Sequence, residues 1–265
     1  MQSLEIIEKK ILEYIPTSSR MVNGIWSVDC LFNPSGNGRI FDYKFLIAQT
    51  IGQGVAYSLN REYSNAYLKS LIGTDFLQQS IEDIALKTCL LDSVYGAVFP
   101  AKKKNRHILQ GSYIEKMQCR TRIIIDEAKR LLGSLKGKRV VNVGVVGDIL
   151  RSFFEEGALV TGTDFDQDIV GTKYFNEVPI LDGILTPSLI AESDLAIITG
   201  MTITSGTIDE ILQIANHNKV KIIVFAETGA NLASYYLDNG VHSYLSEYFP
   251  FYIFNGESII DVCTV

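Results

Sequence analysis

An α/β protein whose second half is a Rossmann-like, doubly wound parallel sheet is what this sequence predicts, and three observations predict it. From about Lys138 onward, short β-rich runs alternate with helical segments. The runs are apolar without clear in-out alternation, which fits strands buried on both faces beneath covering helices. The segments that follow them concentrate Gly, Thr, Ser and acidic residues, the composition of loops that hold a ligand at the carboxyl edge of a parallel sheet. Right-handed crossovers then wind the sheet in both directions. A smaller α+β unit is expected ahead of it.

With 265 residues, one large or two modest units are expected. The predicted division is 1–110 for the α+β unit and 111–265 for a linker helix plus the Rossmann-like ligand-binding unit. The first segment has helical apolar spacing at Leu4, Ile7, Ile11, Leu12 and Ile15 with acidic residues between, which reads as a surface helix and not a secretory signal. Strand-like Gly24–Phe32, a turn-rich stretch over Asn33–Gly38 and a second strand from Arg39 to Ile47 suggest a β-hairpin. Apolar residues at Ile81, Ile84, Ala85, Leu86, Leu90, Leu91, Val94 and Val98 predict a largely buried helix within Gln78–Val98. The basic run Lys102–His107 could be a phosphate patch, but in an acidic chain a solvated loop between units is the favoured reading. A long helix is predicted from Tyr113 to Leu132, with Gly133 as its stop.

In the second half, strands are predicted at Arg139–Val145, Ala158–Thr163, Leu195–Thr199 and Val220–Phe225. Helices fit at Asp148–Glu156, Thr207–Asn216 and Ala230–Asn239. A net charge of −6 disfavours nucleic acid and anionic membranes as partners, and no apolar stretch approaches a membrane span. Cys30, Cys89, Cys119 and Cys263 are scattered, so free thiols in a reducing cytoplasm are expected. A small molecule is the expected partner. The oligomeric state is left open, a homo-oligomer included.

Three segments could carry chemistry. The first strand ends in Gly144-Val145-Val146-Gly147, and Asp164 follows Gly144 by about twenty residues, the spacing at which dinucleotide folds place an acid on a ribose. The pattern is GxxG and not GxGxxG, so packing glycines and a loop acid shared with Asp166 and Asp168 are an equally physical account. S-adenosylmethionine or NAD would be the cofactor of the nucleotide reading. The second segment, Gly200 to Thr207, holds two glycines and four hydroxyls after a buried strand. Thr207 and Glu210 have capping-box spacing there. Gly200, Thr202, Ser205, Gly206 and Thr207 are the candidate holders of an anionic or carboxylate group. The third is Phe225–Asn231, where Glu227 opens onto the crevice as a candidate general base or metal ligand, with Thr228 beside it. A solvated acid in a first helical turn is the competing account of Glu227. His107, His217 and His242 share no ligand spacing, and no Ser-His-Asp order, GxSxG elbow, Walker loop or HExxH motif is present.

Asp194–Leu212, with Thr199, Gly200, Thr202, Gly206 and Thr207 in place, resembles the signature stretch of the heavy-metal-chelation family. Met201 stands where that family has Ser, and Ser205 where it has Asn. Val224–Ala230 looks like its Gly-Pro-Thr/Ser segment, with Ala226 and Glu227 replacing Gly-Pro, and Tyr236–Val241 is similar to its Phe-x-x-Gly-Val stretch. The likeness is clearest over Asp194–Leu245, weaker over Lys138–Asp168 and faint over Leu71–Val98. It implies an enolase-N-terminal-like unit joined to a Rossmann-like one, with a site between them. The implied ligand is metal-related, a chelator or its precursor, with a divalent metal ion as the implied cofactor. A non-catalytic protein that binds a metal complex is the alternative within the same resemblance, and no metal-ligand set is named by it.

Overall fold

The computed structural model describes residues 2–33, 41–59 and 61–265. The predicted turn at 34–38 and the first two residues of the predicted second strand lie outside the described residues. The first helix, α1 (Gln2–Tyr14), buries Leu4, Ile7 and Ile11 and leaves Leu12 exposed. Three antiparallel strands follow in sheet order β1 (Gly24–Phe32), β2 (Phe41–Gln49) and β3 (Gln53–Tyr57). β3 has no counterpart in the sequence reading. After α2 (Asn65–Leu71) comes α3 (Ile84–Val98), which starts later than its periodicity suggests because the Asp83 side chain caps it by accepting from the Leu86 amide at 2.8 Å.

Residues Lys103–Leu109 form β4, which corrects the reading of the basic run as a loop. β4 is the edge of the large sheet and pairs antiparallel with the last strand, β12 (Ser258–Thr264). Lys104 and Arg106 project from it onto buried Asp261, and charged side chains on an outer strand also discourage unwanted pairing. Burial opposes the charge of Asp261, yet the hydrogen bonds from Arg106 and Lys104 hold its carboxyl below the ordinary range. α4 (Tyr113–Leu132) spans the predicted residues and stops at Gly133 as the sequence predicts; the structure adds a capping box of Ser112 and Glu115 at its start.

The remainder runs β5 (Arg139–Val143), α5 (Gly147–Glu155), β6 (Leu159–Asp164), β7 (Lys173–Tyr174), β8 (Val178–Asp182), α6 (Thr186–Ala191), β9 (Leu195–Thr199), α7 (Met201–Thr204), α8 (Ile208–His217), β10 (Lys221–Ala226), α9 (Ala233–Asp238) and β11 (Ser243–Tyr248). Among the described residues the large sheet reads β4-β12-β11-β10-β9-β5-β6-β8-β7. The stretch from β8 through β6, β5, β9 and β10 to β11 is parallel throughout, with Val140 opposite Leu195 at its centre. Strand order therefore reverses between β5 and β9, the switch point where doubly wound sheets place ligands. The expected α/β class with a parallel sheet and a smaller α+β unit is what the fold shows.

Alternate residues of these strands feed two cores. Val141, Ala196, Ile198, Ile222 and Val224 face α1, α3, α8 and α9, so the small unit and the large sheet share one apolar interior. Val140, Leu195, Ile197, Ile223 and Phe225 face α4 and α5. A third, mostly aromatic cluster joins Phe45, Val55 and Tyr57 of the small sheet to Phe251, beyond β11. No helix among the described residues is long and apolar enough to cross a membrane.

Candidate functional site

The carboxyl ends of β9, β10 and β11 meet the small sheet, and the turn after β10 is the joint. There the Thr228 hydroxyl accepts from the Tyr57 amide at 3.0 Å, and the Gly229 amide donates to the Val55 carbonyl at 3.1 Å. Asn231 is held from the other unit: buried Asp92 of α3 accepts from its backbone amide at 2.7 Å and from its side chain at 3.1 Å. Gly200, at the end of β9, packs under this turn. A Cβ at Gly200 would lie 2.3 Å from the Thr228 carbonyl oxygen, so only glycine permits the approach.

Glu227 projects from this joint. The Tyr57 hydroxyl donates to its Oε2 at 2.6 Å, and Arg120 Nη1 of α4 lies 4.0 Å from its Oε1. Arg120 is buried with its guanidinium over two rings, 4.8 Å from the Phe225 centroid and 4.2 Å from that of Tyr252. Its Nη1 is also 3.8 Å from Oε2 of Glu247, a fully buried residue near the end of β11. Burial, reinforced by the neighbouring charge of Glu247 and opposed by Arg120, pushes the Glu227 carboxyl up to about 7. Burial likewise raises Glu247, and burial followed by the charge of Glu227 raises the Tyr57 phenol well above its ordinary value. A carboxyl that changes charge near neutrality, hydrogen-bonded to a tyrosine at a unit boundary, can give or take a proton there.

The sequence reading reached Glu227 and Thr228 through their place after a strand. It missed Tyr57, Arg120, Glu247 and Tyr252. One of these carried a signal: Arg120, with Lys116, interrupts the buried stripe of α4 at helical spacing, whereas Glu247 sits in a strand that also holds Ser243 and Ser246 and does not stand out.

The Gly200–Thr207 loop lies beside this cluster but spends its hydroxyls locally. Thr202 donates to the Thr199 carbonyl at 2.8 Å, Thr204 to that of Met201 at 3.1 Å, and Ser205 and Thr207 share a hydrogen bond of 3.0 Å. The expected Thr207–Glu210 capping box is not formed: Thr207 has helical φ and ψ and its side chain caps nothing. Ser205 and Thr207 remain the accessible hydroxyls of the loop, and Gly206 turns the chain at φ +78°.

At the other strand ends, Asp164 closes its own turn. Its Oδ2 accepts from the Val145 amide at 2.8 Å and its Oδ1 from the Asp166 amide at 3.0 Å. Over Gly147 sits the ring of Tyr174, whose hydroxyl would be 2.3 Å from an added Cβ. The close approach at Gly147 thus belongs to a tyrosine of the protein, and Gly144 packs its backbone on Thr199. A hollow of about 370 Å³ opens at the opposite ends of β5 and β6, beside Arg139, Leu159 and Glu192. Among the described residues no three His, Cys, Asp or Glu come together to hold a metal ion. The residues outside the description include none of these four types.

Comparison with known proteins bears on family and fold. No curated protein matches the chain. Two solved structures cover it almost end to end, both titled as proteins with unknown function from the DUF364 family. One, from Desulfitobacterium hafniense DCB-2, has 12% sequence identity and a TM-score of 0.60, covering 100% of this chain and 99% of its own. The other, from Pyrococcus horikoshii, has 17% identity and a TM-score of 0.57, covering 99% and 100%. Residues 127–225 match the same family in sequence, under the description "Putative heavy-metal chelation". The resemblance read from Asp194–Leu245 is thereby shown: this chain is similar in sequence over residues 127–225, and in fold over its whole length, to the DUF364 heavy-metal-chelation family.

Proposed function

We propose that the protein binds a small polar or anionic, metal-related molecule in the crevice between the small sheet and the carboxyl ends of β9 and β10. One observation carries the reading: Glu227 stands at the end of a parallel strand with Tyr57 of the other unit bonded to it at 2.6 Å and Arg120 behind it. In this reading a metal arrives already complexed, with the protein recognising the organic part. Glu227 exchanges a hydrogen bond or a proton with the ligand. Exposed Ser205 and half-buried Thr207 receive its anionic end, since the Gly200 and Gly206 amides already donate to the Phe225 and Ile203 carbonyls. The S-adenosylmethionine or NAD reading has less support, since Tyr174 covers Gly147 and both Asp164 oxygens already accept amides.

The test is native mass spectrometry of the freshly purified protein, followed by thermal-shift titration. Citrate, a catechol and a hydroxamate, each alone and loaded with iron or nickel, are suitable probes. Stabilisation by at least one probe, weakened by Glu227→Gln, is the expected result. A retained adenosyl or nicotinamide cofactor, or equal stabilisation of parent and variant, would overturn the reading.

A further inference from the structure

Arg120 lies between two carboxylates without closing on either. Its Nη1 stands 4.0 Å from Glu227 and 3.8 Å from Glu247, whereas a charged guanidinium that pairs freely with a carboxylate settles at about 2.7–2.9 Å. The rings of Phe225 and Tyr252 hold it in this middle position. Glu247 Oε1 accepts from the Tyr252 amide at 2.6 Å and the Ser258 hydroxyl at 3.0 Å. Its Oε2 is buried with no hydrogen-bond partner among the described residues, and so is Arg120 Nε.

Besides the Ser258 hydroxyl of β12, the titratable and charged groups facing the two carboxylates come from four elements. β3 supplies Tyr57, with Tyr43 of β2 behind it; α4 supplies Arg120 and Lys116; the segment after β11 supplies Tyr252. Lys116 is already committed, donating to the Phe254 carbonyl at 2.5 Å and the Gly256 carbonyl at 3.0 Å. Two full negative charges beside one guanidinium that pairs with both only at 3.8–4.0 Å are costly away from water, and a single proton relieves most of that cost.

We propose that Glu227 and Glu247, linked through Arg120, hold one proton between them at neutral pH and deliver it to a ligand in the crevice, making the cluster a proton-transfer site. The inference rests on the crevice reading for its ligand but not for its proton. Glu227 is the member with accessible side-chain surface, 13% exposed against 0% for Glu247. In the step, the O–H bond of Glu227 breaks and the proton passes to a lone pair on a ligand oxygen or nitrogen. The bonding electrons stay on the Glu227 carboxylate, whose charge Arg120 offsets, and a solvent proton restores the starting state. The ligand class is therefore one carrying a phenolate, an amine or another donor atom basic near neutrality. Glu247 and Arg120 act through Glu227 and are positioning residues.

Carboxyl-carbon NMR titration of the full chain, labelled at glutamate and without ligand, tests this. The wild type should show Glu227 titrating near neutrality, with the Glu247 signal moving in the same step. Glu247→Gln should lower the Glu227 midpoint by about one pH unit or more because a like charge is removed, and Glu247→Asp should restore it. An unchanged Glu227 midpoint in folded Glu247→Gln would overturn the proposal. If that variant fails to fold, the wild-type curve decides: both carboxyls titrating independently below about pH 5 overturns it as well. A negative screen with chelators sinks the crevice reading and leaves this measurement standing.

Discussion

Asp92 of α3 clasps Asn231 of the opposite unit by both its backbone and its side-chain amide, while also accepting from the Val55 amide at 3.0 Å. Three N–H donors converge on a fully buried carboxylate. Burial outweighs the three bonds and pushes Asp92 up to about 7 from its ordinary 3.8. The folded state therefore binds this proton more tightly than the unfolded state. The associated stability is complete below about pH 4 and is lost as pH rises through about 7. Glu227, pushed up to about 7, acts in the same direction. Denaturant unfolding should show lower stability at pH 8 than at pH 5, by on the order of a few kcal/mol. Asp92→Asn should reduce that slope and leave the part owed to Glu227; an unchanged slope would mean that Asp92 keeps its ordinary ionisation in the folded protein.

Tyr57→Phe removes the 2.6 Å hydrogen bond to Glu227 and keeps the ring inside its aromatic cluster. A cost of about 1–2 kcal/mol in urea unfolding is expected, with a raised Glu227 midpoint, because that bond favours the ionised carboxylate. A lowered midpoint would contradict the geometry.

Thr202→Val replaces a hydroxyl that donates to the Thr199 carbonyl inside the protein. The sequence alone suggests a nearly silent substitution, but the buried bond changes that expectation. The melting transition should fall by the equivalent of about 0.5–1.5 kcal/mol even without ligand. Calorimetry on parent and variant checks it.

Gly200→Ala would press a methyl group against the Thr228 carbonyl oxygen, at 2.3 Å before any relaxation. Backbone must shift to admit it, so destabilisation of about 1–3 kcal/mol is expected, together with weaker protection of the Gly229 amide in hydrogen exchange. A neutral outcome would mean that the joint below β3 is loosely packed.

Elements with a clean period were legible before the fold was known. α4 announces itself through its length and its stop at Gly133, β9 and β10 through short apolar runs, and β5 through such a run around Asn142. β12 and β4 were not, because each carries charge that makes sense only when paired: Asp261 is polar alone and neutralised beside Lys104 and Arg106. The site divides in the same way. Glu227 could be found from its position after a strand, a local property. Tyr57 lies 170 residues away in the chain and Arg120 comes from a separate helix, so their convergence is a property of the tertiary fold.

The pairing of β4 with β12 also sets an order of events during synthesis. Arg106 and Asp261 meet across 155 residues, so the small unit, β4 and most of the large sheet leave the ribosome before β4 has any strand beside it. Until Ser258–Thr264 arrives, both its edges are open, and its four successive polar residues Lys103, Lys104, Asn105 and Arg106 keep it soluble through the wait. The same sequence that looks like a solvated loop is thus the protection of a strand that must be made early and closed last.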